Sequence, residues 1–191
     1  PELRGDPTAL EEALGWAESG WPDFTMYYPV FAAAPEARIL GAAVPRTAAR
    51  AAIRDGLAAT FGDEVGRYGL TEALPPAEQA QRETLQQEAH CGALPDEMLP
   101  AMVAVQRLRD AALARAVVRA LAATGGPVAV ITGNGHARRD WGLPRVLARV
   151  APEARVHVLL QGEEDVVPEG GHDEVVFAPA APREDPCAAF R

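Results

Sequence analysis

The chain contains no lysine: all eighteen of its basic residues are arginine. Together with abundant alanine, this reads as a genomic base bias and not as a functional signature. It still has a chemical consequence, because every cationic contact must be made by a planar guanidinium fork suited to carboxylates. Positive charge is not in excess either. The formal net charge is −9, which argues against general nucleic-acid binding or attachment to an anionic membrane. No apolar run approaches the roughly 18 residues of a membrane-spanning helix. Repeats and low-complexity linkers are absent. Pro1-Glu2-Leu3-Arg4 is neither a natural start nor the basic opening of a signal peptide, so the chain is expected to be a fragment or a processed product. Two cysteines, Cys91 and Cys187, are too few for a cysteine-rich zinc site. They form one disulfide in an oxidising compartment or stand as separate thiols, and the sequence leaves both open.

What is present fits one globular domain over residues 1–191. The length and the 48% hydrophobic and 24% charged composition suffice for a core without metals. Asp6-Pro7 begins a capped helix. Residues 24–34, FTMYYPVFAAA, read as a buried helix with Pro29 as a kink or break. ARILGAAV (37–44) reads as a buried strand, and a helix follows from Pro45 to about Asp55. Another runs from Pro75-Pro76 to His90-Cys91-Gly92. From Asp96 to about Ala123 apolar residues recur at helical spacing, and Gly125-Gly126 ends that helix. PVAVITG (127–133) reads as a buried strand, 140–150 as a helix, 155–161 as a strand and 173–179 as a last, edge strand. The alternation predicts an α/β fold, a mainly parallel central sheet flanked by helices with a helical subdomain.

Chemistry concentrates in VITGNGHARRDWGLP (130–144). Ligands gather at the carboxyl ends of strands in such sheets, and Gly133 and Gly135 let the backbone turn around Asn134. The stretch is not a nucleotide loop: it lacks the G-x-G-x-x-G spacing and the Lys-Ser/Thr of a P-loop. His136 is a candidate ligand or general base, against the plainer reading of a hydrogen-bonded histidine at a strand end. Arg138, Arg139 and Asp140 sit beside it, with a solvated first turn capped by Asp140 as their plain alternative. On the long helix Met102, Gln106, Arg109 and Asp110 share one face and are expected to look into the same cleft. His90 is a second candidate ligand. His157 reads as a packed structural histidine and His172 as exposed. Tyr27 and Tyr28 add possible haem ligands, since tyrosinate and histidine both ligate haem iron; core packing is the alternative.

GNGHARRDWGLP resembles the G-N-G-H-V-R-x-D-x-G-V-P signature of the ChaN-like haem-binding lipoprotein family, also called the haem-binding uncharacterised protein family. LGWAESGWPDFTMYYPVF, HCGALP, QRLRDAALA and REDPCA are similar too, in the right order along nearly the whole chain. The resemblance implies a periplasmic or outer-membrane-anchored bacterial lipoprotein linked to an iron or haem uptake system. It implies a parallel sheet with a helical part, and haem held between two subunits by Tyr and His. It also implies kinship with Tiki proteases and erythromycin-esterase-like hydrolases, which carry a first-strand G-E-x-H motif. This chain departs from the pattern. The first strand and helix with that motif are absent, and AAVPR (42–46) lacks the Asn of the family's Ala-Asn-x-Pro-Arg.

Two functions follow as expectations. One is a haem-binding module, possible as a homodimer, with His136, His90, Tyr28 or Tyr27 on the iron and Arg138 or Arg139 facing the propionates. The other is a hydrolase in which His136 is base or ligand, Asp110 and His90 assist, and Arg109 stabilises negative charge. Whether the chain is an enzyme is left open, and no metal centre is expected.

Overall fold

Asp6 sets the start of the first helix. Its side chain accepts the Ala9 N–H at 3.0 Å, and Pro7 occupies the first turn, where a missing N–H costs little. The computed structural model describes residues 3–190; Pro1-Glu2 and the last residue of the tail PREDPCAAFR lie outside the described residues. Helices α1 (Pro7–Leu14) and α2 (Trp16–Ser19) are separated by Gly15 in the left-handed conformation. A 3-10 turn at Phe24–Met26 precedes α3 (Tyr28–Ala33), which has Pro29 in its first turn. The expected single helix over 24–34 is therefore two short pieces. Pro29 starts a helix instead of kinking one, and of these residues only Phe24 is buried.

Residues up to Gly41 form one compact unit. Trp16 is its hub, with the rings of Trp21, Phe24 and Tyr27 at 5.5, 5.1 and 5.0 Å. Arg4, almost fully buried, donates to the carbonyls of Phe31 at 2.8 Å and Ala34 at 3.1 Å, and to that of Ala37. It thereby ties the last turn of α3 and the turn after it to the start of the chain.

From Ala42 onward the chain forms a second compact unit. It contains α4 (Arg46–Asp55), α5 (Leu57–Phe61), α6 (Pro76–Ala89), α7 (Leu99–Thr124), α8 (Asn134–Ala137) and α9 (Leu143–Val150). Strands β1 (Leu159–Glu163) and β2 (Glu174–Ala178) follow, then a 3-10 turn at Pro186–Phe190. The long helix α7 packs against α4, α5, α6 and α9. Its Ala111 and Ala114 are fully buried and Leu108 nearly so, within a core that also holds Phe61, Tyr68 and Leu147. Gly125, left-handed, ends α7 by donating its N–H to the Leu121 carbonyl, the usual role of glycine at a helix C-terminus.

The sheet is smaller than expected. β1 and β2 pair in parallel from Leu159↔Glu174 to Glu163↔Ala178, giving a mixed α/β unit with one parallel pair. Residues 37–44 and 127–133 form no ladder among the described residues. Ile39, Leu40, Val130 and Ile131 stand exposed instead of buried. Strand propensity describes how well a side chain fits a sheet, but a strand exists only where a neighbouring backbone takes its N–H and C=O groups. The expected strand 155–161 is displaced to 159–163 for the same reason, because pairing with β2 begins at Leu159.

Cys91 and Cys187 are joined in a disulfide with a Cα–Cα distance of 5.6 Å and a sequence separation of 96, which ties the end of α6 to the C-terminal segment. Because Leu108 is 2% exposed at the centre of the α7 interfaces, Leu108→Ala is expected to cost about 2–5 kcal/mol in chemical denaturation. Val166→Ala, at a position 70% exposed, should change stability by no more than about 0.5 kcal/mol.

Candidate functional site

The site is built where α7 meets the turn before α9. Asp110 projects from α7 with a side chain 4% exposed, and its Oδ1 lies 2.6 Å from His136 Nδ1. His136 is carried on α8, whose first turn closes through the His136 N–H to the Gly133 carbonyl at 2.9 Å. Gly142 makes this turn possible. A Cβ there would press on the carbonyl oxygens of His136 and Arg138, so only glycine lets the chain double back before α9.

A cavity of about 300 Å³ opens beside this pair. Its wall includes Gln106, Asp110, Gly135, His136 and Arg138, which the sequence singles out, and Arg82, Gln86, Trp141, Leu85, Ala89 and Val103, which it does not. Gln106 reaches toward Gln86 and Arg109 only through long 3.4 Å contacts. Arg138 is buried. It forms a two-bond pair with Asp140 at 2.7 Å and lies 3.7 Å from the centre of the Trp141 ring. Arg82 approaches the same ring at 4.9 Å, so both guanidinia use the indole face as well as their carboxylates. Gly170 is required here too: at φ +103 it lies so close to Arg138 that a Cβ would overlap the guanidinium.

The other predicted residues have different placements. Asn134 acts as a piece of backbone. Its Nδ2 donates to the Gln161 carbonyl at 2.6 Å, and its Oδ1 accepts the Gln161 N–H at 3.2 Å. Arg139 donates to the Val156 carbonyl at 2.8 Å and pairs with Asp173. Asp140 does not cap α9: its carboxylate is taken by Arg138, and the helix begins after Gly142 with no side-chain cap. His90 sits at the end of α6, with Nδ1 2.8 Å from the Gln86 carbonyl, and is not part of the cavity wall. Tyr27 and Tyr28 belong to the N-terminal unit, where Tyr27 stacks in the aromatic cluster and the Tyr28 hydroxyl donates to the Arg4 carbonyl at 2.9 Å. His157 is not packed: its side chain is 65% exposed, beside Glu174 at 3.3 Å. His172 is half-buried instead of exposed, with Nδ1 lacking a hydrogen-bond partner among the described residues. Among the described residues no three His, Cys, Asp or Glu side chains converge as a metal site.

Burial pushes the Asp110 carboxyl above the ordinary aspartate range, against the downward pull of His136, Arg82 and Arg109. The pair has two proton arrangements. With Asp110 ionised, His136 donates Nδ1–H and keeps its lone pair on Nε2. With Asp110 protonated, Nδ1 accepts and Nε2 carries the hydrogen.

A family model described as "Haem-binding uptake, Tiki superfamily, ChaN" matches residues 3–147. No curated protein and no solved structure matches the chain.

The raised Asp110 pKa has a stability consequence. The folded state holds this proton to higher pH than the unfolded chain does. The contribution is therefore full below the ordinary aspartate pKa and is lost as pH rises through the folded value. Thermal melts over the acid range should show this loss, and Asp110→Asn should remove it. An unchanged pH profile in that variant would place the titration elsewhere.

Proposed function

We propose that this chain, which belongs to the haem-binding uptake family of the Tiki superfamily (ChaN), binds haem with the His136 imidazole as a ligand to iron. The observation that carries this reading is the 2.6 Å contact between His136 Nδ1 and the buried Asp110 carboxylate. A ligating histidine generally donates its other ring N–H to such a group, which fixes the tautomer and makes the ligating nitrogen more basic. With Asp110 ionised, it does this for His136 and leaves Nε2 as the ligand atom.

The residues present fit a haem in kind. An imidazole with a supporting carboxylate is a haem ligand, and Leu85, Ala89, Val103 and the Trp141 indole supply an apolar wall. When bound, the haem would contribute its iron and its visible absorption. The chain contributes the ligand, its orientation and partial exclusion of water. At about 300 Å³ the cavity is at the lower end of small-ligand sites. Part of the macrocycle would stand outside it, where a second copy of the chain could cover it, in keeping with a dimeric arrangement. His90, Tyr28 and Tyr27 remain the other candidate ligands, and Tyr28 would first have to release the Arg4 carbonyl. Arg138 or Arg139 would meet the propionates only by giving up Asp140 or Asp173. The setting we propose is haem handling in bacterial iron acquisition, in the periplasm or on an outer-membrane anchor. The Cys91–Cys187 bridge supports an oxidising compartment.

The same Asp110–His136 pair supports a second reading, in which His136 is a general base oriented by Asp110. Among the described residues no Ser, Thr or Cys lines the cavity, so this reading narrows to activation of water. Haemin titration followed in the Soret band separates the two. A saturable shift is expected, abolished in His136→Ala and weakened about 10–100-fold in Asp110→Asn. A shift that His136→Ala leaves intact, or none that saturates, would overturn the haem reading. Ester or peptide hydrolysis lost in His136→Ala would then favour the second.

A further inference from the structure

A smaller cavity of about 160 Å³ shares Arg82, Asp110 and Trp141 with the first, and is otherwise lined by residues 68–70 and 72–75, Arg107 of α7, and Arg145, Val146 and Arg149 of α9. Four guanidinia converge on it. Three are paired with carboxylates: Arg82 and Arg145 share Glu78, and Arg149 forms a two-bond pair with Glu72. Arg107 is held by neutral acceptors, with Nη2 donating to the carbonyls of Gly69 at 2.7 Å and Glu72 at 2.8 Å. It forms an ion pair with none of the described carboxylates.

A half-buried cation facing other cations is costly without a counter-charge. Burial first, and then repulsion from Arg82, lowers the Arg107 pKa, while Glu78 and Glu72 act the other way. Even with Asp110 counted as ionised, the guanidinia outnumber the carboxylates around this cavity. The Arg107 Nη1 and Nε donate to no described residue, so their N–H groups remain for the oxygens of a ligand. Arg145 and Arg149 are 47% and 43% exposed and place positive potential at the rim.

The geometry points to a binding site for a small oxyanion, the phosphate or carboxylate group of a small molecule, seated against Arg107. Such a group supplies the counter-charge that the chain does not. The cavity is too small to take a porphyrin, so this site adjoins the one proposed for haem across Arg82, Asp110 and Trp141 but does not depend on it.

The test titrates the chain with inorganic phosphate and, separately, with succinate. Calorimetry and the Trp141 indole N–H resonance are the readouts, at constant ionic strength against sodium chloride. Saturable binding of at least one probe with a shifted Trp141 resonance is expected. Phosphate alone would identify a phosphate site, and succinate alone a carboxylate site. Arg107→Gln should weaken binding about 10–100-fold. Because Arg107 also holds residues 69 and 72, Arg145→Gln serves as a second variant that leaves those contacts in place and should weaken binding in the same direction. No saturation beyond chloride, or equal affinity in wild type and both variants, would overturn the proposal.

Discussion

A carboxylate buried in the side of α7 constrains everything around it. Asp110 is almost fully buried, and its cost is offset by one short contact to His136 and by the guanidinium of Arg82 nearby. Removing either member of the pair would leave a polar atom stranded in the interior, the expensive outcome for a buried hydrogen bond. The imidazole is held there by backbone as much as by Asp110. α8 closes on Gly133, Gly142 allows the return toward α9, and Arg138 is locked between Asp140 and the Trp141 ring. Orientation of one ring is thus secured by several elements that have no other reason to meet.

Arg82 and Trp141 stand on the boundary of both cavities. The boundary is made of delocalised groups, an indole with guanidinia at 3.7 and 4.9 Å from its centre. Because arginine supplies all the side-chain positive charge, acids are shared between forks, as Glu78 is between Arg82 and Arg145. Lysine ammonium groups could deprotonate in such crowded surroundings; guanidinia keep their charge, so the arrangement requires anions.

Much of this was legible in the sequence where the signal is local. The Asp6 cap, the proline-led starts of α6 and α7 and the glycine end of α7 are set by neighbours in the chain. Helical spacing put Gln106 and Asp110 on one face, and the glycine-flanked histidine marked the turn opposite; both line one cavity. What was not legible is relational. Residues 37–44 and 127–133 have strand composition, but composition cannot supply a partner backbone. The sequence of α6 is polar, yet Arg82 is buried, because its acceptors lie in the same helix and in α9's approach, at Glu78 and Trp141. Arg4 gave no signal at all, since the carbonyls it satisfies are 27–33 residues away. Asn134 looked like a ligand-side amide, while its two bonds to Gln161 make it a substitute for a peptide group.

The bridge between Cys91 and Cys187 turns the stretch between them into a covalent ring. That ring contains α7, α8, α9 and both strands, hence Asp110 and His136 together, while α6 lies just outside it and enters at the point of closure. The two partners of the short contact are topologically captive to one another even when local structure loosens. The wall contributed by α6 through Arg82, Leu85, Gln86 and Ala89 is joined to the ring at one end only through its own chain. Widening the cavity is therefore a matter of hinging one helix against a closed loop, with the imidazole and its carboxylate riding on the same side of the hinge.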